Sequence, residues 1–328
     1  MGKTIQQAMQ DFLDTIALAR SPNTARAYQN ALAAFAIVLD DHNLPIEKTD
    51  VQGLSEAAIA WLAAGLKPYA PATERLYLTA AAGFYEYLAA ERLANPNLPR
   101  MRMLIRQRGR KQGQRLPQFP RDNIEFIIEY ANNLASLPSE GQAIHLRNLR
   151  DRAFLITLAD TGLRVHEACA LRRGDLDWNE GRAVIIGKGD QQAVVRFSAR
   201  SLRALKDYLA ARASLDGSSG RPLASLPLFA RHDKGAGKKV EAITPTTGRN
   251  IVALRLKEAL EGAETGTITP HSFRHYFVTT VLRASGGNLK LAQELARHKS
   301  ISVTQRYAHL SDDELDEGYW RIFDDTAK

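Results

Sequence analysis

Apolar residues recur at helical spacing through the first hundred residues. SPNTARAYQNALAAFAIVLD, SEAAIAWLAAGL and PATERLYLTAAAGFYEYLAAERL each show this pattern, which predicts amphipathic helices. Ser21 followed by Pro22 is typical of an N-cap and a first helical position. A further predicted helix, TIQQAMQDFLDTIAL, has an apolar face made of Ile5, Met9, Phe12, Leu13 and Ile16.

The second part of the chain has a mixed pattern. RAVIIG and AVVRFS are rich in β-branched residues and predict a β-hairpin whose turn contains Lys188. Helical periodicity precedes them in RDNIEFIIEYANNL and HLRNLRDRAFLITLADTGLRVHEACAL, and it returns after them in TPTTGRNIVALRLKEAL and PHSFRHYFVTTVLRAS. We therefore expect a mainly α protein with a small β-hairpin or sheet, in two domains.

Proline and charge indicate where the domains meet. NPNLP ends the helical region, so we expect a helical domain over 1–99, a linker over 100–120 and a second, mixed α/β domain over 121–328. Residues 1–99 have a net charge of −3, residues 100–121 have +8, and residues 122–328 have +3. A run of cations without anions favours binding to a polyanion such as nucleic acid, although a solvated linker is the plainer alternative. The candidate DNA-binding residues are Arg106, Arg108, Arg110 and Lys111.

Composition excludes several other classes of protein. The longest apolar run, ALAAFAIVL, has nine residues, far fewer than the roughly 18 that span a membrane. MGKTIQQAMQ has no apolar signal core, so we expect a cytoplasmic location, and binding of DNA by the basic run implies nucleoid association. The lone Cys169 cannot form an internal disulfide or a thiolate metal site, and we expect it in the core.

The segment HSFRHYFVTT places two imidazoles and a guanidinium within little more than one helical turn. His271 and His275 at i, i+4 can share a zinc ion, whereas His271 and Arg274 can hold a phosphate. The zinc alternative is weaker because the segment lacks the glutamate of the zincin pattern and places Arg274 between the imidazoles. We therefore expect no metal and no other cofactor, with His275 behind the site or buried.

Three further segments carry polar residues that favour phosphate chemistry. In TGLRVHEA, Arg164 begins a helix and Glu167 follows on the same face. GKGD places Lys188 at the hairpin tip, and ELARHKSISVTQRYAHL contains His298 with Tyr307 nine residues later. Taken alone, each has a plain structural explanation: a solvated lysine, a helix ion pair, or a packed tyrosine.

Together these residues have the groups needed to attack a phosphodiester without metal. A phenol with a pKa of about 10 is a poor nucleophile unless cations stabilise its anion. Arg164 and Arg274 can bind the extra negative charge of a five-coordinate phosphorane. Lys188 can protonate the leaving 5′ oxygen, and the imidazoles can bind phosphate oxygens or relay the tyrosine proton.

The motifs TGLR-x-x-E, GKG, H-x-x-RH and Arg-His followed by Tyr resemble the tyrosine recombinase (phage integrase) family, near its Xer-like members. SPNTARAYQNAL and ATERLYLTAAAGFYEYL are similar to that family's helical, SAM-like core-binding domain. The resemblance implies that Tyr307 is the nucleophile and that Glu167 supports the site. The residues that it implies assist catalysis are Arg164, Lys188, His271, Arg274 and His298.

Two positions depart from the family pattern. Arg297 stands where the family usually has glycine, which adds a cation beside the site. DQQAVVRFS after GKG replaces the usual basic stretch and Val-Pro, so the family's hairpin contacts with DNA do not carry over to these residues, although the tip lysine remains. Neither departure removes a catalytic group.

The resemblance implies a site-specific DNA recombinase that acts through a 3′-phosphotyrosyl intermediate and a Holliday junction, as a tetramer on double-stranded DNA. The alternatives are type IB topoisomerase-like relaxation and a non-catalytic DNA-binding protein of the same fold. Leu315, Tyr319 and Ile322 share a face of a tail helix predicted over 311–323. The resemblance favours exchange of this tail between protomers, and packing on its own domain is the alternative.

Overall fold

The computed structural model describes residues 2–110, 121–139, 141–187, 192–233, 235, 237, 239–260, 268–305 and 307. Contacts divide the chain into two compact units, Met1–Arg115 and Leu116–Lys328. Most of the described structure is helical, and three strands form one small sheet. The predicted fold class, mainly α with a small sheet in two domains, is confirmed.

The first unit consists of helices packed around an apolar core. Ser21 accepts a hydrogen bond from the Thr24 amide and Pro22 opens the second helix, so the predicted cap is confirmed. Phe35 and Phe84 are among the fully buried core side chains. The helices are α1 (Ile5–Ala19), α2 (Pro22–Asp40), α3 (Ala57–Gly65), α4 (Pro71–Ala90) and α5 (Leu98–Arg108).

Helix α5 occupies the first half of the segment predicted as a linker. The Asn97 side chain caps it by accepting from the Arg100 amide, and Met101 is fully buried in the core of the first unit. The point at which the two units divide, after Arg115, lies inside the predicted linker. Helix α5 forms because apolar residues inside the basic run give it a face that packs on α3 and α4.

The second unit is built around α7, which packs against α6, α8, α9 and α12. Cys169 lies in its core as expected, with a side chain that is 3% exposed. The helices are α6 (Arg121–Asn133), α7 (Gln142–Thr161), α8 (Val165–Ala170), α9 (Ala199–Ala211), α10 (Ala213–Gly217), α11 (Pro245–Ala259), α12 (Pro270–Ala284), α13 (Leu289–Ala296) and α14 (Ile301–Gln305).

The sheet is antiparallel, with strand order β1 (Leu176–Asp177), β2 (Arg182–Ile186) and β3 (Gln192–Arg196). Strands β2 and β3 are the predicted hairpin, in which Ile185 pairs with Ala193. The short β1 was not predicted, because two residues show no periodicity. Among the described residues, no helix has the length and apolar character to span a membrane.

Candidate active site

The turn between α7 and α8 places Arg164 and Glu167. Gly162 ends α7 with φ of +59°, and a Cβ there would lie 2.5 Å from the Phe277 ring, so the position requires glycine. Arg164 is the N-cap of α8, and its backbone N–H donates to Glu167 Oε2 at 2.8 Å. The predicted placement of Arg164 at a helix start, on the same face as Glu167, is what the structure shows.

Glu167 is a buried carboxylate that contacts two guanidiniums. Arg164 Nη1 donates to its Oε1 at 2.9 Å, and Arg297 Nη2 donates to its Oε2 at 3.1 Å. Burial opposes ionisation of Glu167, but the Arg164 backbone hydrogen bond and the charges of Arg297 and Arg164 outweigh it. The pKa of Glu167 is therefore below its ordinary value, and the side chain is an anion at neutral pH.

Arg274 lies on α12 and is only 2% exposed. Its Nη1 donates to the carbonyl oxygen of Gly162 at 2.5 Å, and its Nη2 donates to that of Ala296. These bonds join α12 to the turn after α7 and to the end of α13. Burial, followed by the charges of Arg164 and Arg297, lowers the pKa of Arg274 to about 10, so it remains a cation at neutral pH.

Two imidazole rings, those of His275 and His298, lie beside the Tyr307 ring, and a third, that of His271, packs against His275. The His271 and His275 ring centroids are 4.5 Å apart, and those of His275 and Tyr307 are 4.8 Å apart. The His298 ring lies 6.1 Å from that of Tyr307 and nearly parallel to it. The Tyr307 backbone N–H donates to the Thr304 carbonyl oxygen at 3.0 Å, which fixes the tyrosine just beyond α14.

The His298 ring is held by a hydrogen bond of 2.9 Å between its Nδ1 and Thr304 Oγ1. Burial, together with nearby cations of which Arg274 is the strongest, lowers the pKa of His298 to about 4. Burial and the neighbouring His271 and Arg274 do the same for His275, whose pKa is also about 4. The pKa of His271 is lowered by burial, Arg274 and Arg164. Neutral imidazoles of this kind can donate a hydrogen bond or relay a proton.

The structure thus brings together Arg164, Glu167, His271, Arg274, His298 and Tyr307, which are far apart in sequence. Lys188 lies outside the described residues, although both strands of its hairpin are described. Two further residues, expected from the sequence only beside or behind the site, make direct contact with its members. His275 contacts the Tyr307 ring, and Arg297 is tied to Glu167.

The predicted DNA-binding arginines differ in their surroundings. Arg106 and Arg108 are exposed in the last turn of α5. The Arg110 guanidinium instead bonds the buried carboxylate of Glu74 and the Tyr69 carbonyl oxygen, because a buried anion needs a cationic partner. Lys111 and the predicted tail helix over 311–323 lie outside the described residues.

No group of three or more His, Cys, Asp or Glu side chains with metal-binding geometry occurs in the described part of the chain. This includes His271 and His275, the pair considered for zinc. Chemistry without metal or cofactor stays a prediction.

Comparison with known proteins gives concordant matches over both units. Residues 119–314 match the model of the phage integrase family, and residues 9–92 match the phage integrase N-terminal SAM-like domain. The chain is 30% identical to tyrosine recombinase XerC of Myxococcus xanthus, over 91% of each chain. It is 29% identical to tyrosine recombinase XerC of Thermodesulfovibrio yellowstonii, over 94% of this chain and 93% of that one.

Two solved structures share the fold. The XerH site-specific recombinase bound to palindromic difH substrate aligns with a TM-score of 0.66 and 20% identity, over 90% of this chain and 79% of that one. The Tn1549 transposon integrase in complex with transposon right end DNA aligns with a TM-score of 0.67 and 17% identity, over 97% and 99%.

Proposed function

The chain belongs to the phage integrase family and is a site-specific DNA recombinase that breaks and rejoins DNA; we propose that Tyr307 is its nucleophile. The observation that supports this role is the position of the phenol among His275, His298 and the cation Arg274. Cations near a phenol stabilise its anion, which is the form that attacks phosphorus.

In the proposed reaction, Tyr307 Oη forms a bond to the scissile phosphorus, and the bond from phosphorus to the 5′ oxygen breaks. The product is a 3′-phosphotyrosyl link and a free 5′ hydroxyl. Arg164 and Arg274 bind the non-bridging oxygens, where negative charge increases in the phosphorane. His271 and His298 donate to those oxygens or accept the proton of Tyr307, and Lys188 protonates the leaving 5′ oxygen.

Attack by the 5′ hydroxyl of a second DNA strand reverses these steps and regenerates Tyr307. The phosphate bond energy is kept in the covalent intermediate, so ATP is not required. The proposed role of Glu167 is to hold Arg164 through its hydrogen bonds to the Arg164 backbone and guanidinium. We expect cleavage to continue in excess EDTA, because side chains supply the positive charge.

Assembly is a further part of the proposal. DNA is the partner, and strand exchange between two duplexes through a Holliday junction needs one tyrosine for each of four strands, which favours a tetramer on DNA. Exchange of the 311–323 tail between protomers is proposed as the link between them. A cytoplasmic, nucleoid-associated location is also proposed, because the partner is double-stranded DNA.

The test is covalent trapping of the protein on DNA. Purified protein is incubated with sheared genomic DNA from the source cells, and the DNA that stays attached in detergent is recovered and sequenced. The wild-type protein is expected to enrich one site, and Tyr307→Phe is expected to bind that site without forming an adduct. The matched control is Tyr276→Phe, because Tyr276 is on α12 but interacts with Arg200.

Each alternative has its own outcome in this experiment. An adduct that persists in Tyr307→Phe contradicts the assignment of the nucleophile. Relaxation of any supercoiled plasmid by a monomer indicates topoisomerase-like action, and binding without any adduct indicates a non-catalytic protein. Removal of the chain after Leu310 tests the assembly: it is expected to keep single-site binding and to lose the pairing of two sites. Unfolding of the shortened chain indicates instead that the tail packs on its own domain.

A further inference from the structure

Arg297 has a backbone conformation that disfavours its side chain. It is the C-cap of α13 and has φ of +58° and ψ of 45°, which is the left-handed region. Glycine adopts this region freely, whereas a residue with a Cβ is strained there. An arginine at this position therefore costs stability relative to glycine.

The Arg297 side chain is also incompletely hydrogen-bonded. It is 11% exposed, and its Nη2 donates to Glu167 Oε2 at 3.1 Å. Its Nε and Nη1 are buried and have no hydrogen-bond partner in the described residues. A buried guanidinium with unpaired N–H groups is destabilising. Both the backbone conformation and the side-chain bonding of Arg297 are thus destabilising, so fold stability does not explain why an arginine stands here.

The charges around Glu167 suggest what Arg297 contributes. In the described part of the chain, Arg164, Arg274 and Arg297 all interact with one carboxylate, that of Glu167. If Arg297 were absent, the Glu167 anion would offset one of the two guanidiniums, Arg164 and Arg274, that are proposed to bind the phosphate. With Arg297 present, the ion pair between Glu167 and Arg297 is neutral, and Arg164 and Arg274 both retain their charge. A phosphorane carries two negative charges, which match these two cations.

We propose that Arg297 is a positioning residue for DNA cleavage that acts through Glu167. It neutralises the carboxylate that holds Arg164, so that the carboxylate orients Arg164 without weakening its attraction for the phosphate. The inference rests on the proposed function, because it presumes that Tyr307 attacks a phosphate beside Arg164. Arg297 itself does not contact the DNA in this scheme.

The test compares two arginines that share the strained backbone. Arg92 has φ of +55° and is exposed in the first unit, so Arg92→Gly releases similar strain away from the site. Arg297→Gly is expected to slow single-turnover cleavage by about 10- to 100-fold, the effect found when a residue that orients a metal ligand is lost and applied here to a residue that acts on Arg164 through Glu167. Arg92→Gly is expected to cleave at the wild-type rate, and Arg297→Lys, which keeps the charge, to recover most of the loss.

Two further measurements separate this role from a structural one. In a Glu167→Gln background there is no anion to neutralise, so Arg297→Gly is expected to cost much less than it does alone. The pH at which cleavage reaches half its maximum is expected to rise in Arg297→Gly, because a less positive site stabilises the Tyr307 phenolate less. A purely structural role instead lowers the melting temperature and leaves this pH unchanged.

Wild-type cleavage by Arg297→Gly, or losses that add in the double mutant, overturns the inference. Either result is distinguishable from failure of the proposed function, because that failure means that the wild-type protein itself forms no adduct that depends on Tyr307.

Discussion

The two units each contain a buried glutamate bonded to two cations, and they use it differently. Glu74 in the first unit is 1% exposed and Glu167 in the second is 5% exposed. Each accepts a backbone N–H as well as side-chain donors: Glu74 from Arg110 at 2.9 Å, and Glu167 from Arg164 at 2.8 Å. The local chemistry is therefore nearly the same in both.

The difference lies in what else the cations contact. Around Glu74, Lys67 also donates to the Arg108 carbonyl oxygen at 2.7 Å, and Arg110 donates to that of Tyr69. Backbone carbonyls thus complete the bonding of these cations. The cluster holds the chain in place at Arg108 and Arg110, where α5 ends. Around Glu167, Arg164 is 44% exposed and Arg297 has unpaired nitrogens. The Glu167 cluster therefore differs in having incompletely bonded cations beside titratable groups with shifted pKa values, which is typical of a functional site.

The largest expected effect comes from removing a cation of the Glu167 cluster. Arg164→Ala is expected to slow cleavage by roughly 10²-fold or more, since it removes a donor to the phosphorane. DNA binding, measured separately by fluorescence anisotropy, is expected to fall much less. The matched control is Arg200→Ala, because Arg200 is 48% exposed and also pairs with a nearly buried carboxylate, Asp160. Equal losses of binding and cleavage in Arg164→Ala contradict a role in the transition state.

The next effect concerns the Glu74 cluster and should appear in stability alone. Glu74→Gln weakens the charge-assisted bonds to Arg110 and Lys67, so we expect the free energy of unfolding to fall by about 2 kcal/mol. Cleavage by the folded variant is expected to be unchanged. Urea denaturation measures the loss. Glu86→Gln, at the exposed pair with Arg102, is the control and is expected to change it by less than about 1 kcal/mol. A loss of cleavage in folded Glu74→Gln contradicts the contrast between the clusters.

The two units should lose stability over different ranges of acidic pH. Burial, with nearby cations, lowers the pKa of His275 and of His298 to about 4, whereas in the unfolded chain they titrate near pH 6.5. The second unit should therefore lose stability as pH falls from about 6.5 to about 4, because the unfolded state binds more protons.

The first unit should respond at lower pH. Burial of Glu74 opposes ionisation, but hydrogen bonds from Arg110 and Lys67 lower its pKa below the ordinary value of 4.5. Its contribution is lost only as pH falls below about 4.5. Hydrogen exchange followed by mass spectrometry assigns the loss to each unit. Equal loss of protection in both units between pH 6.5 and 5 runs against this prediction.

The smallest effect concerns the basic segment, residues 100–121, which carries a net charge of +8. Replacement of the exposed Arg106 and Arg108 by Gln is expected to flatten the salt dependence of DNA binding by up to about 0.9 per lost phosphate contact. Arg110→Gln is expected to change this slope less and to lower stability more, since its guanidinium is bound to Glu74. An unchanged slope for Arg106 and Arg108 indicates that they are merely solvated.

Most of the helices and the hairpin were predictable from local pattern. Ser21 and Pro22 specify the start of α2 because a side-chain acceptor and a fixed φ act within one turn. Strands β2 and β3 follow from their β-branched residues. Helix α5 was missed because its apolar residues are interrupted by arginines, and only packing against the first unit shows which face is buried.

The site shows the same division between sequence and structure. The types of residue, their order and the family resemblance determined the candidates Arg164, His271, Arg274, His298 and Tyr307, because the chemistry needs those groups. Only the tertiary structure decided which cations meet which anions. It placed Arg110 on Glu74 and Arg297 on Glu167, across 36 and 130 residues of chain. Burial makes an unpaired carboxylate costly, and burial arises from packing between distant segments, which local sequence does not determine.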